Sequence, residues 1–124
     1  MIARMSNPSP IVLYGIPNCD TVKKARAWLA ERGVDYTFHD FKKSGVSAPE
    51  LQRWADALGW EALLNRRGTT WRRLDAATQA GVIDQASACA LMQARPSLIK
   101  RPVVEWGGAV TVGFDEADWM RRCG

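Results

Sequence analysis

The sequence contains few of the residues that hold structural metals or cross-link small secreted domains. It has three cysteines, Cys19, Cys89 and Cys123, no CxxC pair, and a single histidine among its 124 residues. A structural zinc site needs about four closely spaced Cys or His ligands, so the composition argues against one. An odd number of cysteines without a secretory signal is typical of a reducing compartment, and we expect a cytoplasmic protein.

Long apolar runs are also missing. No segment approaches the ~18 apolar residues that a membrane helix needs, so we expect no membrane partner. Residues 1–10 lack the apolar core of a secretory signal and are predicted to form a flexible leader. The net charge of +4 is modest and both signs are interspersed along the chain, so no direct nucleic-acid binding is expected. Residues 11–124 are predicted to form a single globular domain.

The hydrophobic pattern predicts alternating strands and helices at the start of the domain. Residues 11–14 form a short apolar run that ends at Gly15, which is typical of a buried strand. Residues 20–32 follow a helical period that ends at Gly33, and residues 34–41 alternate as a second strand. Because one helix joins the two strands, they are predicted to be parallel.

The middle of the domain, about residues 45–98, is predicted to be an all-helical insertion. Ser47 begins a capping-box pattern that indicates the start of one helix. Asp84 is expected to cap a second helix, which ends before Pro96. Residues 65–73 are polar and basic and are predicted to form a surface loop.

The last part of the chain predicts a hairpin and a closing helix. Residues 99–106 and 109–112 read as strands on either side of Gly107-Gly108, which supplies a tight turn. Residues 114–122 are predicted to be helical. The whole order predicts an α/β fold: a thioredoxin-like mixed four-stranded sheet with an inserted all-helical subdomain.

Cys19 is the strongest candidate for chemistry. It follows a strand and a short loop and directly precedes a helix, where free backbone N–H groups and the helix dipole favour a thiolate. Lys23 and Lys24 follow within about one turn and would add positive charge. A thiolate at this position is a nucleophile, and the same N–H groups can hold an anion. The alternative is that Cys19 is a small buried hydrophobic residue, as most cysteines are.

The residue three positions after Cys19 is Val22 rather than a second cysteine. The site therefore cannot close a local CxxC disulfide, and its oxidised form needs an outside thiol or a distant cysteine. Cys89 lies in a predicted helix among small apolar residues, where we expect core packing. Cys123 lies at the predicted flexible end of the chain.

Arg101 is the second candidate, because it precedes Pro102 at the start of a predicted strand. An X-Pro peptide at such a turn can be cis, and we expect the turn to face the Cys19 loop. An arginine there would bind an oxyanion or a carboxylate through two parallel hydrogen bonds. Five further residues are expected to line the substrate position: Asn18, Asp20, Thr21, Lys23 and Pro102.

Three separated segments resemble one protein family. They are residues 14–25 (YGIPNCDTVKKA), residues 59–71 (GWEALLNRRGTTW) and residues 99–102 (IKRP). In this order they resemble the arsenate reductase and Spx family, most of all its small YffB-like branch. The resemblance extends over about residues 11–119 and implies a thioredoxin-like fold with a helical insertion.

The resemblance also implies roles for individual residues. In the family's reductases a cysteine at the position of Cys19 attacks arsenate, and arginines at the positions of Arg67 and Arg101 help to hold the oxyanion. Glutathione and glutaredoxin then resolve the adduct. The chain departs from the arsenate reductases after the hairpin, where residues 111–115 read TVGFD and lack a further arginine.

These observations predict a glutathione-dependent thiol reductase without a tightly bound cofactor. Its expected partners are glutathione or another small thiol, and glutaredoxin is a further candidate partner. One alternative is an arsenate reductase that depends on glutathione and glutaredoxin. The other is a non-enzymatic regulator that binds RNA polymerase, as the resemblance to Spx implies. Residues 112–116 and the basic residues Arg72 and Arg73 favour the regulator, whereas Val22 removes the CxxC switch of Spx.

Overall fold

A computed structural model describes residues 11–123, and the predicted leader lies outside these described residues. The strands are β1 (Val12–Gly15), β2 (Thr37–Asp40), β3 (Val103–Glu105) and β4 (Val110–Val112). The helices are α1 (Asp20–Glu31), α2 (Phe41–Ser44), α3 (Ala48–Leu58), α4 (Trp60–Leu63), α5 (Thr69–Arg72), α6 (Ala76–Ala80), α7 (Gln85–Ala94) and α8 (Glu116–Cys123). A 3₁₀ turn at Pro96–Leu98 follows α7. No helix of the described part is long and apolar enough to cross a membrane.

The strands form one mixed sheet in the order β2-β1-β3-β4. β1 runs parallel to β2 and antiparallel to β3, and β3 is antiparallel to β4. The hairpin between β3 and β4 turns at Gly107, whose backbone is left-handed (φ 107°). The predicted parallel pair, the predicted hairpin and the mixed four-stranded sheet are confirmed.

The chain divides into two compact units. The sheet unit comprises the described residues 11–40 and 101–123. The helical unit comprises Phe41–Lys100 and contains α2 to α7 and the 3₁₀ turn. In the helical unit, an isolated bridge between Leu64 and Ile99 joins the segment after α4 to the segment after the 3₁₀ turn.

The core of the sheet unit is a cluster of buried side chains from α1, the two central strands and α8. Its members are Leu13, Val22, Ala25, Trp28, Leu29, Val104 and Trp119. Trp119 is fully buried and meets the rings of Trp28, Trp106 and Phe114 edge-on, with centroid distances of 5.8, 5.1 and 4.7 Å. Each such pair contributes about 0.5–1.5 kcal/mol beyond its buried area, so these contacts fix α8 within the core.

Helix α1 ends as the sequence predicts, at a left-handed glycine. Gly33 has a φ of 66°. Its N–H donates to the carbonyl of Ala30 at 3.1 Å, and the N–H of Val34 donates to the carbonyl of Leu29 at 3.0 Å. This pair of bonds is the Schellman arrangement, which satisfies the last carbonyls of the helix.

Both predicted caps of the helical unit are confirmed. At the start of α3, the N–H of Glu50 donates to Ser47 Oγ at 3.2 Å, and the N–H of Ser47 donates to Glu50 Oε1 at 3.1 Å. Asp84 and Ser87 make the same reciprocal pair of bonds at the start of α7. A cap of this kind stabilises its helix by about 1 kcal/mol.

The predicted second strand, residues 34–41, is too long. β1 begins at Val12, which pairs with Thr37, so residues 34–36 lie beyond the end of the β1 ladder. At the other end, Phe41 is the first residue of α2 and is buried against the ring of Trp54, with centroids 6.3 Å apart. The alternating pattern of residues 34–41 predicts a strand up to Phe41. In the structure Phe41 instead belongs to α2 and is buried in the helical unit.

The prediction of a loop over residues 65–73 is wrong in its second half, where α5 forms one helical turn. The sequence pattern does not predict helix α6. Helices of four or five residues are too short to show a helical period. The available signal was Asp75, whose Oδ1 accepts a hydrogen bond from the N–H of Thr78 at 2.7 Å and caps α6.

Two predictions near the end of the chain also need correction. The strand predicted over residues 99–106 begins only at Val103, because Pro102 has no N–H to give to the ladder. The Arg101–Pro102 peptide is cis, as anticipated. Cys123 does not lie in a flexible tail: it is the last residue of α8, half-buried and packed against the core of the sheet unit.

Gly15 provides a test of the packing between β1 and α1. A β-carbon at residue 15 would lie 2.8 Å from Cγ2 of the fully buried Val22. We expect Gly15→Ala to lower the free energy of unfolding by about 1–3 kcal/mol, the usual cost of overpacking a core. Chemical denaturation measures this loss.

The matched control is Gly108→Ala, because a β-carbon there meets nothing within 4 Å. We expect this variant to stay within about 0.5 kcal/mol of the parent protein. In a double-mutant cycle, Gly15→Ala combined with Val22→Ala should cost less than the sum of the two single changes. Equal losses for the Gly15 and Gly108 variants would contradict the packing argument.

Candidate active site

Cys19 is the residue directly before α1, in the N-cap position. Its backbone is extended (φ −144°, ψ 124°), and its carbonyl accepts the first helical hydrogen bond from the N–H of Lys23 at 2.9 Å. The side chain is half-buried and packs against the edge of the sheet-unit core. The sulfur therefore lies at the positive end of the helix dipole and keeps partial contact with solvent.

The strand register places Arg101 near the end of β1 that leads into the Cys19 loop. Tyr14 pairs with Val103 in the antiparallel β1–β3 ladder. Two residues before Val103, the chain reaches Arg101 beside the loop that leads from Gly15 to Cys19. The predicted approach of the Arg101 turn to the Cys19 loop is a consequence of this antiparallel register.

The net effect of these neighbours is to lower the pKa of the Cys19 thiol. Partial burial by itself raises the pKa. The backbone N–H of Val22, a hydrogen bond from the Arg101 side chain, the Arg101 charge and the N–H of Thr21 together lower it by more. Both N–H groups belong to the first turn of α1, where they point towards the residue that precedes the helix.

The positive charge that lowers the pKa of Cys19 does not come from the two lysines that follow it in the sequence. Lys23 and Lys24 are exposed on α1 and are not among the groups that lower the pKa of Cys19. Arg101, which is far away in sequence, supplies that charge instead. Lysine side chains in the first turn of a helix extend readily into solvent, which is why sequence proximity to Cys19 was misleading.

The other residues predicted to line the substrate position surround Cys19 along the chain or precede β3. Asn18, Asp20 and Thr21 are exposed on either side of Cys19, and Pro102 is buried directly before β3. Their contact with a substrate stays a prediction.

Arg67 lies in the helical unit, in the loop before α5. Its N–H donates to Asn65 Oδ1 at 3.0 Å, and its carbonyl accepts a hydrogen bond from Arg72 Nη1 at 2.7 Å. These bonds fix the backbone of the loop and leave the Arg67 side chain exposed. The role in oxyanion binding that the resemblance implies for Arg67 stays a prediction.

The pKa values of the other two cysteines are shifted in the opposite direction, upward. Burial, and then the charge of Asp56, raise the pKa of Cys89, which is half-buried on α7 rather than sealed in a core. Burial also raises the pKa of Cys123, against the opposing charge of Arg32. Of the three cysteines, only Cys19 has neighbours whose combined effect outweighs burial and lowers its pKa.

Cys123 is unsuited to resolve an oxidised Cys19. It lies close enough to Arg32 to sense its charge, and Arg32 is at the far end of α1 from Cys19. A helix of 12 residues is about 18 Å long, which far exceeds the reach of a disulfide. All three cysteines are free, and the described residues contain no group of three or more side chains suited to a metal ion.

A model of the ArsC family matches residues 14–121. The chain belongs to the ArsC family. A solved structure named YFFB protein is 50% identical to it, with a TM-score of 0.89 over 92% of this chain and 99% of that one. A solved arsenate reductase (ArsC) related protein from Brucella melitensis is also 50% identical, with a TM-score of 0.72 over 91% of this chain and 93% of that one.

The global transcriptional regulator Spx of Streptococcus pyogenes is 30% identical to this ArsC-family chain over 112 residues, which are 86% of this chain and 79% of the regulator. The predicted family membership is therefore confirmed, together with the thioredoxin-like α/β fold. The matched residues include Cys19, Arg67 and Arg101.

The electrostatic origin of the Cys19 pKa can be tested by removing Arg101. Arg101→Ala takes away both a hydrogen bond and a charge that favour the thiolate, so the pKa of Cys19 should rise. Alkylation of Cys19 at neutral pH should then slow, because only the thiolate reacts. Mass spectrometry of the labelled peptides separates Cys19 from the other cysteines.

Two controls accompany this measurement. Lys24→Ala removes a positive charge from α1 and should leave the rate of Cys19 alkylation unchanged. Cys89 and Cys123 should stay largely unlabelled at mildly acidic pH in every variant, because their pKa values are raised. The account fails if Lys24→Ala slows Cys19 as much as Arg101→Ala does.

Proposed function

We propose that this ArsC-family protein is a thiol-dependent oxidoreductase with Cys19 as its single nucleophile and glutathione as its co-substrate. The observation that carries the proposal is the lowered pKa of Cys19, which follows from the N-terminus of α1 and from Arg101. A thiol whose pKa is lowered has a larger thiolate fraction at a given pH, and the thiolate is the form that attacks a disulfide.

In the proposed reaction, the Cys19 thiolate attacks a sulfur of an oxidised substrate, such as a mixed disulfide with glutathione. A bond forms between Cys19 Sγ and the glutathione sulfur, the S–S bond of the substrate breaks, and the substrate's own sulfur leaves as a thiolate. A second thiolate, from free glutathione, then attacks the mixed disulfide on Cys19. The products are the substrate thiolate, glutathione disulfide and the regenerated Cys19 thiolate, so each turnover consumes one free glutathione, and the other half of the glutathione disulfide comes from the substrate.

The neighbours of Cys19 have distinct parts in this scheme. Arg101 holds the negative charge on the sulfur before attack and again when Cys19 leaves the mixed disulfide. The N–H groups of Thr21 and Val22 favour the same charge. Because Arg101 is a planar cation with several donors, it also suits the carboxylates of glutathione or an oxyanion substrate.

The need for an outside thiol follows from Val22. This residue stands where a CxxC motif has its second cysteine, and its side chain is fully buried in the sheet-unit core. The other cysteine of the sheet unit, Cys123, lies at the opposite end of α1. A small thiol from solution is therefore the natural resolving group.

Cys19→Ser tests the proposal. We expect this variant to lose glutathione-linked reduction of a disulfide substrate almost completely, by at least about 10³-fold, because serine is not ionised at neutral pH. Coupled consumption of NADPH through glutathione reductase measures turnover, and circular dichroism checks that the fold is intact. Cys89→Ser and Cys123→Ser are the matched controls and should keep parent activity.

The pH dependence supplies a second readout of the same experiment. Turnover should rise as Cys19 ionises, with a midpoint below the ~8.5 of an ordinary cysteine. Retained turnover in the folded Cys19→Ser protein would refute the proposed nucleophile.

Arsenate reduction is a second candidate, favoured by the 50% identity to the arsenate reductase (ArsC) related protein. In this reaction the Cys19 thiolate would attack arsenic and displace one oxygen as water, and Arg101 would hold the oxyanion. Oxidation of thiols, with glutathione as the donor, would supply the two electrons that reduce As(V) to As(III). The assay is arsenate turnover with glutathione and glutaredoxin both present. A Cys19-dependent rate would support this candidate, and no turnover at high enzyme concentration would remove it.

A regulatory role that involves binding RNA polymerase is favoured by the similarity to the regulator Spx and by basic residues on the helical unit. Arg72 and Arg73 are both exposed there. The measurement is binding to the C-terminal domain of the polymerase α-subunit. If this role is correct, the complex should form at micromolar concentration and weaken in an Arg72→Ala, Arg73→Ala double variant. An absence of binding at that concentration would contradict it.

A further inference from the structure

The helical unit contains a polar cavity of about 510 Å³. It lies where α5, α6 and the end of α7 meet. Its polar lining comprises Thr69, Thr70, Arg73, Asp75, Thr78 and Arg95. Ligand sites in proteins commonly have volumes of about 300–1,000 Å³, so the cavity is large enough for a small molecule.

Two arginines from separate segments line this cavity. Arg73 is the residue after α5, and Arg95 is the residue after α7. Within residues 11–123, neither side chain takes part in an ion pair or a hydrogen bond. By contrast, Arg121 and Arg122 on α8 both pair with a carboxylate. The guanidinium groups of Arg73 and Arg95 therefore keep their donors for a ligand.

The single acidic residue in the lining is already engaged. Asp75 accepts a hydrogen bond from the N–H of Thr78 as the cap of α6, and its bonds with Thr78 hold the pKa of the Asp75 carboxyl below its usual range. It is thus a carboxylate at neutral pH, and the lining has a net charge of +1 from two arginines and one aspartate. The hydroxyls of Thr69 and Thr70 add further donors.

We propose that this cavity binds a small molecule through a phosphate group held by Arg73 and Arg95. A guanidinium presents paired donors that match the oxygens of a phosphate. Two guanidiniums and two hydroxyls offer more donors than the two oxygens of one carboxylate accept, whereas a phosphate monoester presents three charged oxygens. The proposal is independent of the proposed chemistry at Cys19.

The test is a nuclear magnetic resonance titration of the full chain with inorganic phosphate and with glycerol phosphate, at constant ionic strength. We expect saturable shifts at the backbone amides of Thr69, Thr70 and Thr78, and tighter binding of the organic phosphate. Acetate serves as the carboxylate comparison and should bind at least tenfold more weakly. Equal affinity for acetate, or no saturable shift at these amides, would overturn the proposal.

Single-residue variants distinguish specific phosphate binding in the cavity from nonspecific attraction of anions to a basic protein. Arg73→Ala and Arg95→Ala should each weaken phosphate binding at least tenfold. Lys43→Ala removes the same charge from an exposed position of the helical unit and should leave the affinity unchanged. If Lys43→Ala weakens binding as much as the arginine variants do, the attraction is nonspecific and the proposal is wrong.

Asp75→Asn gives a prediction of the opposite sign. Asparagine keeps an oxygen that can cap α6 but removes the negative charge from the cavity. Phosphate should therefore bind several-fold more tightly to this variant. Unchanged or weaker binding in a folded Asp75→Asn protein would show that the anion does not occupy the cavity.

Discussion

A guanidinium and a helix N-terminus act on the same sulfur atom in this protein. Burial alone raises the pKa of a cysteine, and at Cys89 and Cys123 that effect prevails. At Cys19 it is outweighed by Arg101 and by the N–H groups of Val22 and Thr21. The three thiols are all half-buried, so the difference in their pKa shifts comes from neighbouring dipoles and charges rather than from exposure.

This arrangement depends on the sheet. Arg101 reaches Cys19 because β3 lies antiparallel to β1 in a register that pairs Tyr14 with Val103. The N-terminus of α1 lies close to the end of β1 because Gly15 leaves room for the Val22 side chain. The buried Trp119 contributes from α8 to the core on which the helix rests. Residues distant in sequence therefore set the acidity of the thiol through backbone geometry.

Much of this architecture is predictable from local sequence. The end of α1 at Gly33 and the caps at Ser47 and Asp84 are predictable because each depends on one or a few neighbouring residues. Cys19 is identifiable as a helix-start cysteine for the same reason. The short helices α5 and α6 cannot be predicted from the hydrophobic pattern, because four or five residues are too few to show a helical period.

The charge partner of Cys19 is harder to predict, because it depends on strand register. Sequence proximity favours Lys23 and Lys24, and the predicted fold indicates only that the Arg101 turn faces the Cys19 loop. The β1–β3 register places Arg101 beside that loop, where its hydrogen bond and charge, rather than the lysines, lower the pKa of Cys19. The same holds for the cavity of the helical unit. In the sequence Arg73 cannot be distinguished from an ordinary solvated arginine. Only the fold shows that Arg73 and Arg95 line the same cavity.

The acidity of Cys19 can be measured without any assumption about substrate. In a protein that carries Cys89→Ser and Cys123→Ser, the ultraviolet absorbance of the thiolate reports Cys19 alone as the pH is raised. The account predicts a midpoint below the pKa of an unperturbed cysteine. A midpoint at or above that value in the folded protein would contradict the stabilisation of the Cys19 thiolate on which the proposed chemistry depends.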